Sequence, residues 1–419
     1  MRRGIKAIKN QEKEIAMRTF LKSTKLDNVL YDVRGPVVDK AARMEAAGQQ
    51  ILKLNIGNPA KFGFSAPKEL LDLVSGSTPG SQAYSESRGI MDAREAIIEY
   101  YKGKGLTNLD PSDVYTGNGA SELIQLSLHA LLDAGDEVLI PAPDYPLWTA
   151  CANLAGGKAV HYICDESSNW YPDIADIESK ITDKTKAIVI INPNNPTGSL
   201  YPKEVLEQVV EVARRYELII FADEIYDRLI MDGKIHTSIA SLAPDLFCVT
   251  FSGLSKSHMI CGFRSGWMVF SGNKDLGRDY IQGVNMLSNM RLCSNVMGQS
   301  AIPYALKETA STQAHLVPGG RIYEQREIVY NMLNDIPGVS VTKPDAAFYA
   351  FPRLDERFGI KDDIRFAVDF LEAEHVLIVQ GTGFNWPDAN HFRIVYLPEK
   401  EVLTEAIGKL GHFLEGYHQ

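Results

Sequence analysis

The residues most able to do chemistry lie in one stretch, Phe251 to Trp267. There FSGLSKSHMICGFRSGW places Lys256 after a short apolar strand and a Ser-Gly turn, with Arg264 eight residues further on. An uncharged lysine amine at the end of a buried strand condenses with an aldehyde to form a Schiff base. An arginine held on the same turn can pair with a phosphate. The two together point to pyridoxal phosphate, against the plainer account of a surface lysine beside a structural arginine. A motif of this kind stands or falls on its surroundings.

Those surroundings must deliver several side chains to one place. Beyond residue 112 strands and helices alternate regularly, the pattern of a mainly parallel sheet covered by helices on both faces, an α/β fold. Seven strands are expected, over 113–116, 137–141, 159–163, 187–192, 218–223, 246–251 and 266–270, with helices over 121–132, 147–155 and 203–216. In such sheets ligands bind beyond the carboxyl ends of the strands, so the junctions that follow the strands are the places to look.

The junction TGNGASELI, 116–124, frees the amides of Ala120 and Ser121 at a helix start whose positive end favours a phosphate; alone, it serves equally as an ordinary helix start. PAPDYPLW holds Tyr145 between prolines, where its ring could stack on a planar heterocycle or simply pack. INPNNPTG, 191–198, sets Asn195 before a proline and so in extended backbone, with an amide able to donate to a ring oxygen. FADEIYDR, 221–228, ends an apolar strand in Asp223 and has Tyr226 three residues later. A carboxylate there is costly to bury unless paired, and a protonated ring nitrogen would pair it; a local helix cap is the alternative.

The chain has 419 residues, 45% apolar and 23% charged, enough for a large core and two domains. Its formal net charge of −10 argues against a nucleic-acid partner, which would call for a basic face. No apolar run approaches the roughly 18 residues of a membrane span. Cys151, Cys164, Cys248, Cys261 and Cys293 are odd in number and lack CxxC spacing. They indicate neither a disulfide framework nor a metal site, and fit a cytoplasmic protein. Residues 1–25 read as a flexible extension without the apolar core of a secretory signal.

The large domain is expected over 66–305, and residues 26–65 with 306–419 read as a smaller α+β domain. An amphipathic helix carrying Val37, Val38, Ala41, Met44 and Ala47 precedes a strand over 51–55 that ends near Gly57. Later come helices over 299–307, 321–334 and 363–374, a strand over 376–380, and HFRIVYLP, which puts Arg393 on an otherwise apolar strand. By itself such an arginine is more often an ion pair than a ligand-binding group. Tyr84 lies in a polar interruption, AYSESRG, where it is either packing or a contact for a partner chain.

Together with LNIGNPAKFGF, GLSK, GFRSGWMV, MRLCSNV and VQGTGFNWP, these junctions resemble the class I and II aminotransferases of pyridoxal phosphate fold type I over nearly the whole chain. Within that family they are most similar to the bacterial glutamate-pyruvate (alanine) aminotransferases. The resemblance implies Lys256 as the catalytic Schiff-base lysine, Asp223 on the ring nitrogen, Asn195 and Tyr226 on the ring oxygen, and Tyr145 stacked on the ring. Ala120, Ser121, Ser255 and Arg264 would hold the phosphate, joined by Tyr84 from the neighbouring subunit of a homodimer. Arg393 would clamp the substrate α-carboxylate, with Gly57, Asn195 and Tyr31 in the same pocket.

The implied reaction is L-alanine plus 2-oxoglutarate to pyruvate plus L-glutamate. A carbon–sulfur lyase and an aminotransferase of different amino-acid preference are alternatives on the same scaffold. A non-enzymatic regulator is disfavoured, because the segment ahead of the fold is too short for a DNA-binding domain. Many relatives carry a phosphate-binding serine three residues before the lysine, where this chain has Gly253, so Ser252 and Ser255 remain alternatives for that duty. Arg34 and Arg291 are the candidates for the second carboxylate of glutamate.

Overall fold

The structure, a computed structural model, describes residues 21–26, 29 and 35–419. Residues 1–20 of the expected extension, and with them Tyr31 and Arg34, lie outside the described residues.

Apolar runs rich in β-branched residues form the strands of one central sheet. In chain order they are β1 (Val114–Asn118), β2 (Glu137–Ala142), β3 (Lys158–Asp165), β4 (Tyr171–Pro172), β5 (Thr185–Ile191), β6 (Ile219–Asp223), β7 (Phe247–Gly253) and β8 (Ser265–Gly272). The eight lie in the order β1-β8-β7-β6-β5-β2-β3-β4. Neighbours β3, β2, β5, β6 and β7 pair in parallel, whereas β8 runs antiparallel to both β7 and β1. The seven expected strands are thus joined by an eighth, β4, antiparallel to the end of β3. A two-residue strand has no periodicity to read.

Strands β5, β6 and β7 are almost wholly buried on both faces, as a parallel sheet between helix layers requires. Helix Lys203–Arg215 shows how the cover is written in sequence. It buries Leu206, Val209, Val210 and Ala213 at helical spacing and leaves Glu204, Glu207 and Glu211 exposed.

A second apolar region gathers Val37, Ala41 and Met44 of helix Pro36–Ala46 with residues of helices Arg321–Asp335, Asp363–Glu374 and Lys400–Glu415. Its strands are short. Val376–Leu377 pairs in parallel with Leu52–Lys53, and Val379–Gln380 pairs antiparallel with Phe392–Val395. The single strand expected over 376–380 is therefore two, because its halves bond different partners. The helix expected over 299–307 is likewise two, Val296–Ser300 and Ile302–Lys307. Pro303 lacks an amide hydrogen and its ring would clash with the carbonyl four residues earlier. Among the described residues no helix is long and apolar enough to cross a membrane.

Candidate active site

The carboxyl ends of β1, β2, β5, β6 and β7 share one sheet edge. Because β8 is antiparallel, the residue that precedes it stands at that edge too, and that residue is Arg264. A cavity of about 530 Å³ opens there. Ala120, Ser121, Tyr145, Asn195, Asp223, Tyr226, Ser255, Lys256 and Arg264 line it from the sheet side, and Gly57 and Arg393 line it from the second apolar region.

At the cavity floor Asp223 ends β6 and is buried. Its Oδ2 accepts from the indole Nε1–H of Trp148 at 3.0 Å and its Oδ1 from the amide of Ile225 at 3.3 Å. Burial pushes the carboxyl up to about 6, while these two neutral donors pull it partly back. A carboxylate so placed lacks the positive charge that burial calls for. A protonated pyridine nitrogen supplies that charge.

One side of the cavity is built for an anion. Gly119 adopts φ +81°, which lets the chain turn from β1 into helix Ala120–Leu131, and a β carbon there would run into the Arg264 guanidinium. That guanidinium donates to the carbonyls of Cys261 at 2.8 Å and Asn118 at 3.1 Å, which fixes it beside the helix N-terminus. Ser255 lines the cavity as well, whereas the Ser252 hydroxyl donates to the Glu224 carbonyl at 3.3 Å. Two free amides at a helix start, an arginine and a serine are a donor set suited to a phosphate.

Lys256 reaches across the cavity, and its Nζ donates to the Gly57 carbonyl at 2.8 Å. Opposite, Arg393 is buried between the rings of Tyr349 and Phe384, with the guanidinium carbon 4.6 Å from each centroid. It donates to Asn195 Oδ1 at 3.1 Å and to the Asn55 carbonyl at 2.5 Å. The Tyr226 and Tyr349 hydroxyls are 2.8 Å apart, and burial followed by the neighbouring Tyr349 holds the Tyr226 phenol well above its ordinary range. A lysine, a buried carboxylate with only neutral partners, a tyrosine ring and a donor set suited to a phosphate within one cavity fit pyridoxal phosphate.

Two expected residues stand elsewhere. Tyr84, expected to serve the neighbouring subunit, is 77% exposed and does not line this chain's own cavity. Arg291 donates to Glu122 Oε2 at 2.6 Å and to the carbonyls of Ser87 and Thr116 at 2.9 and 3.2 Å, so it ties helix Arg278–Arg291 to β1 instead of facing a substrate. Sequence reasoning did not single out Trp148, Tyr349 or Asn55, whereas Phe384 belongs to the loop 380–387, whose aromatics suit a pocket wall. Trp148 was open to discovery, since it lies in the first turn of the helix that opens directly after Tyr145. The others meet Arg393 only through pairings distant in sequence.

The sequence profile of the family described as aminotransferase class I and II matches residues 49–410. The chain is 54% identical over 404 residues to the glutamate-pyruvate aminotransferase AlaA of Escherichia coli K12, covering 96% of this chain and all of that protein. It is 53% identical over 404 residues to the alanine aminotransferase of Mycobacterium bovis, covering 96% and 94%. The crystal structure of an aminotransferase from Escherichia coli superposes with a TM-score of 0.95 at 54% identity, covering 96% of this chain and all of that one.

Proposed function

Because the chain belongs to the class I and II aminotransferases, we propose that it is the pyridoxal-phosphate-dependent enzyme that converts L-alanine and 2-oxoglutarate to pyruvate and L-glutamate, reversibly. One observation supports the chemistry: a single cavity joins Lys256, a buried carboxylate held by neutral donors, and an arginine clasped between two rings. The substrate pair rests on the names of relatives more than half identical over nearly the full length.

When bound, pyridoxal phosphate supplies a ring that accepts electrons from the substrate Cα. Asp223 would hold the proton at the ring nitrogen, and the Trp148 indole would hold Asp223. Asn195 and Tyr226 would donate to the ring oxygen, and Tyr145 would cover the ring face. Ala120, Ser121, Ser255 and Arg264 would hold the phosphate; Ser252 is spent on the Glu224 carbonyl. Arg393 would grip the α-carboxylate with a planar fork that a lysine cannot match. That grip would orient the Cα–H bond toward Lys256, whose Nζ would take the proton off Cα and hold it on that face.

Two wider assignments accompany this one. Residues 26–65 and 306–419 would form a small domain that brings the clamp to the large domain at 66–305. The chain would act as a cytoplasmic homodimer in which Tyr84 reaches the partner's phosphate site. Support for the dimer is an exposed apolar group near Tyr84. Met286 and Met290 are 60% and 80% exposed and Leu292 49%, and Ser87 Oγ donates to Asn289 Oδ1 at 2.7 Å to join that helix to the Tyr84 loop.

The decisive test is the visible absorption of the loaded protein. Adding L-alanine should bleach the yellow band and 2-oxoglutarate should restore it. Pyruvate and ammonia released without an oxo acid would identify a lyase instead. A fully active monomer in sedimentation would overturn the dimer.

A further inference from the structure

A buried carboxylate joins the two walls of the cavity. Asp144, fully buried, precedes Tyr145 in the loop after β2. Its Oδ1 accepts from Asn385 Nδ2 at 2.6 Å, its Oδ2 accepts from the Thr149 hydroxyl at 3.1 Å, and its amide donates to the Phe384 carbonyl at 2.9 Å. Thr149 Oγ1 also lies 2.8 Å from His161 Nε2. Phe384 is one of the two rings that clasp Arg393. The far end of the same loop is held by Asp363, which accepts from the Thr382 amide and hydroxyl at 2.7 and 2.8 Å.

We propose that Asp144 is a positioning residue that staples the Phe384 side of the Arg393 clamp to the Tyr145 wall, so that the carboxylate grip is set in register with the ring-stacking face. This rests on Arg393 being the substrate-carboxylate clamp.

Three observations support it. Removing a carboxylate wholly from water is costly unless its oxygens are satisfied, and both of them are met by neutral donors, Thr149 on the helix that follows and Asn385 from a loop distant in sequence. Burial raises the Asp144 carboxyl to about 7 although Asn385 and Thr149 pull it down, so the group is held at a cost. Thr149 belongs to helix Leu147–Ala155, which also carries Trp148, the donor to Asp223. The staple therefore meets the clamp on one side and the ring-nitrogen partner on the other.

A swap cycle on the holoenzyme tests it. Asn385→Asp sets two carboxylates against each other and Asp144→Asn removes the charge that accepts; the double variant restores an amide–carboxylate bond in reverse order. The readouts are KM for L-alanine and 2-oxoglutarate, kcat, cofactor affinity, and the dissociation constant of propionate by calorimetry, which needs no turnover. Asn385→Asp should weaken propionate and raise both KM values about tenfold or more, with kcat and cofactor affinity within about threefold. The double variant should return to within about threefold of the parent.

Singles that leave propionate binding within about twofold, a double no better than the worse single, or cofactor affinity that falls in step with KM would each overturn the staple. Should Asn385→Asp fail to fold, Asn385→Ala must show the same rise. Arg393→Lys is the reference: unchanged propionate affinity there sinks the clamp itself and the staple with it. Weakened propionate there, with a flat swap cycle, sinks the staple alone.

Discussion

Two buried aspartates four residues apart are treated in opposite ways. Asp223 faces the cavity with an indole and a backbone amide for company, and burial lifts its carboxyl to about 6. Asp227 lies behind the sheet edge in contact with the Lys104 ammonium, and the Tyr100 hydroxyl donates to it at 2.5 Å. Burial pushes the Asp227 carboxyl up as well, but Lys104, His236 and Arg228 outweigh it and leave the group below its ordinary value. One carboxylate has its cation built in and the other does not. A buried charge completed by the protein is architecture, and one that faces a cavity with no cation of its own is a candidate binding group.

The sharpest break in that symmetry is Asp223→Asn. It should lower kcat/KM by about 10³-fold, near 4 kcal/mol of transition-state stabilisation, while the cofactor-free protein melts no lower than its parent. Steady-state kinetics and thermal melting check the two halves. Asp227→Asn should do the reverse. It takes the nearer of two carboxylates from the Lys104 ammonium, leaving Glu224 at 3.8 Å, and costs about 3 kcal/mol of stability by chemical denaturation, with kcat/KM of the folded enzyme within about tenfold. If the two variants destabilise equally, the contrast fails.

The contrast also predicts a pH dependence. The raised Asp223 carboxyl holds a proton in the folded cofactor-free protein that the unfolded chain has lost between about pH 4 and pH 6. Folded protein binds more protons there, so stability falls as pH rises through that window, by up to about 3 kcal/mol. Denaturation of the cofactor-free protein at a series of pH values should show that slope added to those of the other raised carboxyls, Asp144 and Glu224, and Asp223→Asn should remove its own share. The smallest effect belongs to Trp148→Phe, which keeps the ring but removes one donor. It should cost about 1.5 kcal/mol of catalysis, roughly tenfold in kcat/KM, and move the slope to higher pH.

The sheet edge was legible because each of its residues follows an apolar run with a strand's composition. Asp223, Asn195 and Tyr145 could be placed at strand ends before any partner was known. Arg264 was legible only as a neighbour of Lys256, since nothing in GFRSGW says that the strand it opens runs backwards, and that reversal brings it to the edge. The clamp was half legible. Arg393 stood out as a charge in an apolar strand, but its clasp by Tyr349 and Phe384 depends on which short strands pair, and that no local pattern announces.

The crossing of β7 with β8 constrains which sequences can be reached from this one. Gly253 pairs with Gly266, and a β carbon on Gly253 would lie 2.6 Å from the Ser265 carbonyl oxygen. A β carbon on Gly266 would lie 2.5 Å from the amide nitrogen of Ala120, at the start of the phosphate helix. A serine at position 253 therefore cannot be installed here by one substitution without moving the backbone that frames the anion cradle. In mutational terms the glycines form an interlocked set, each forbidding change at the next, so a lineage leaves this arrangement through its surroundings first. A library that varies position 253 alone samples a closed door; one that varies its neighbours on both strands together has somewhere to go.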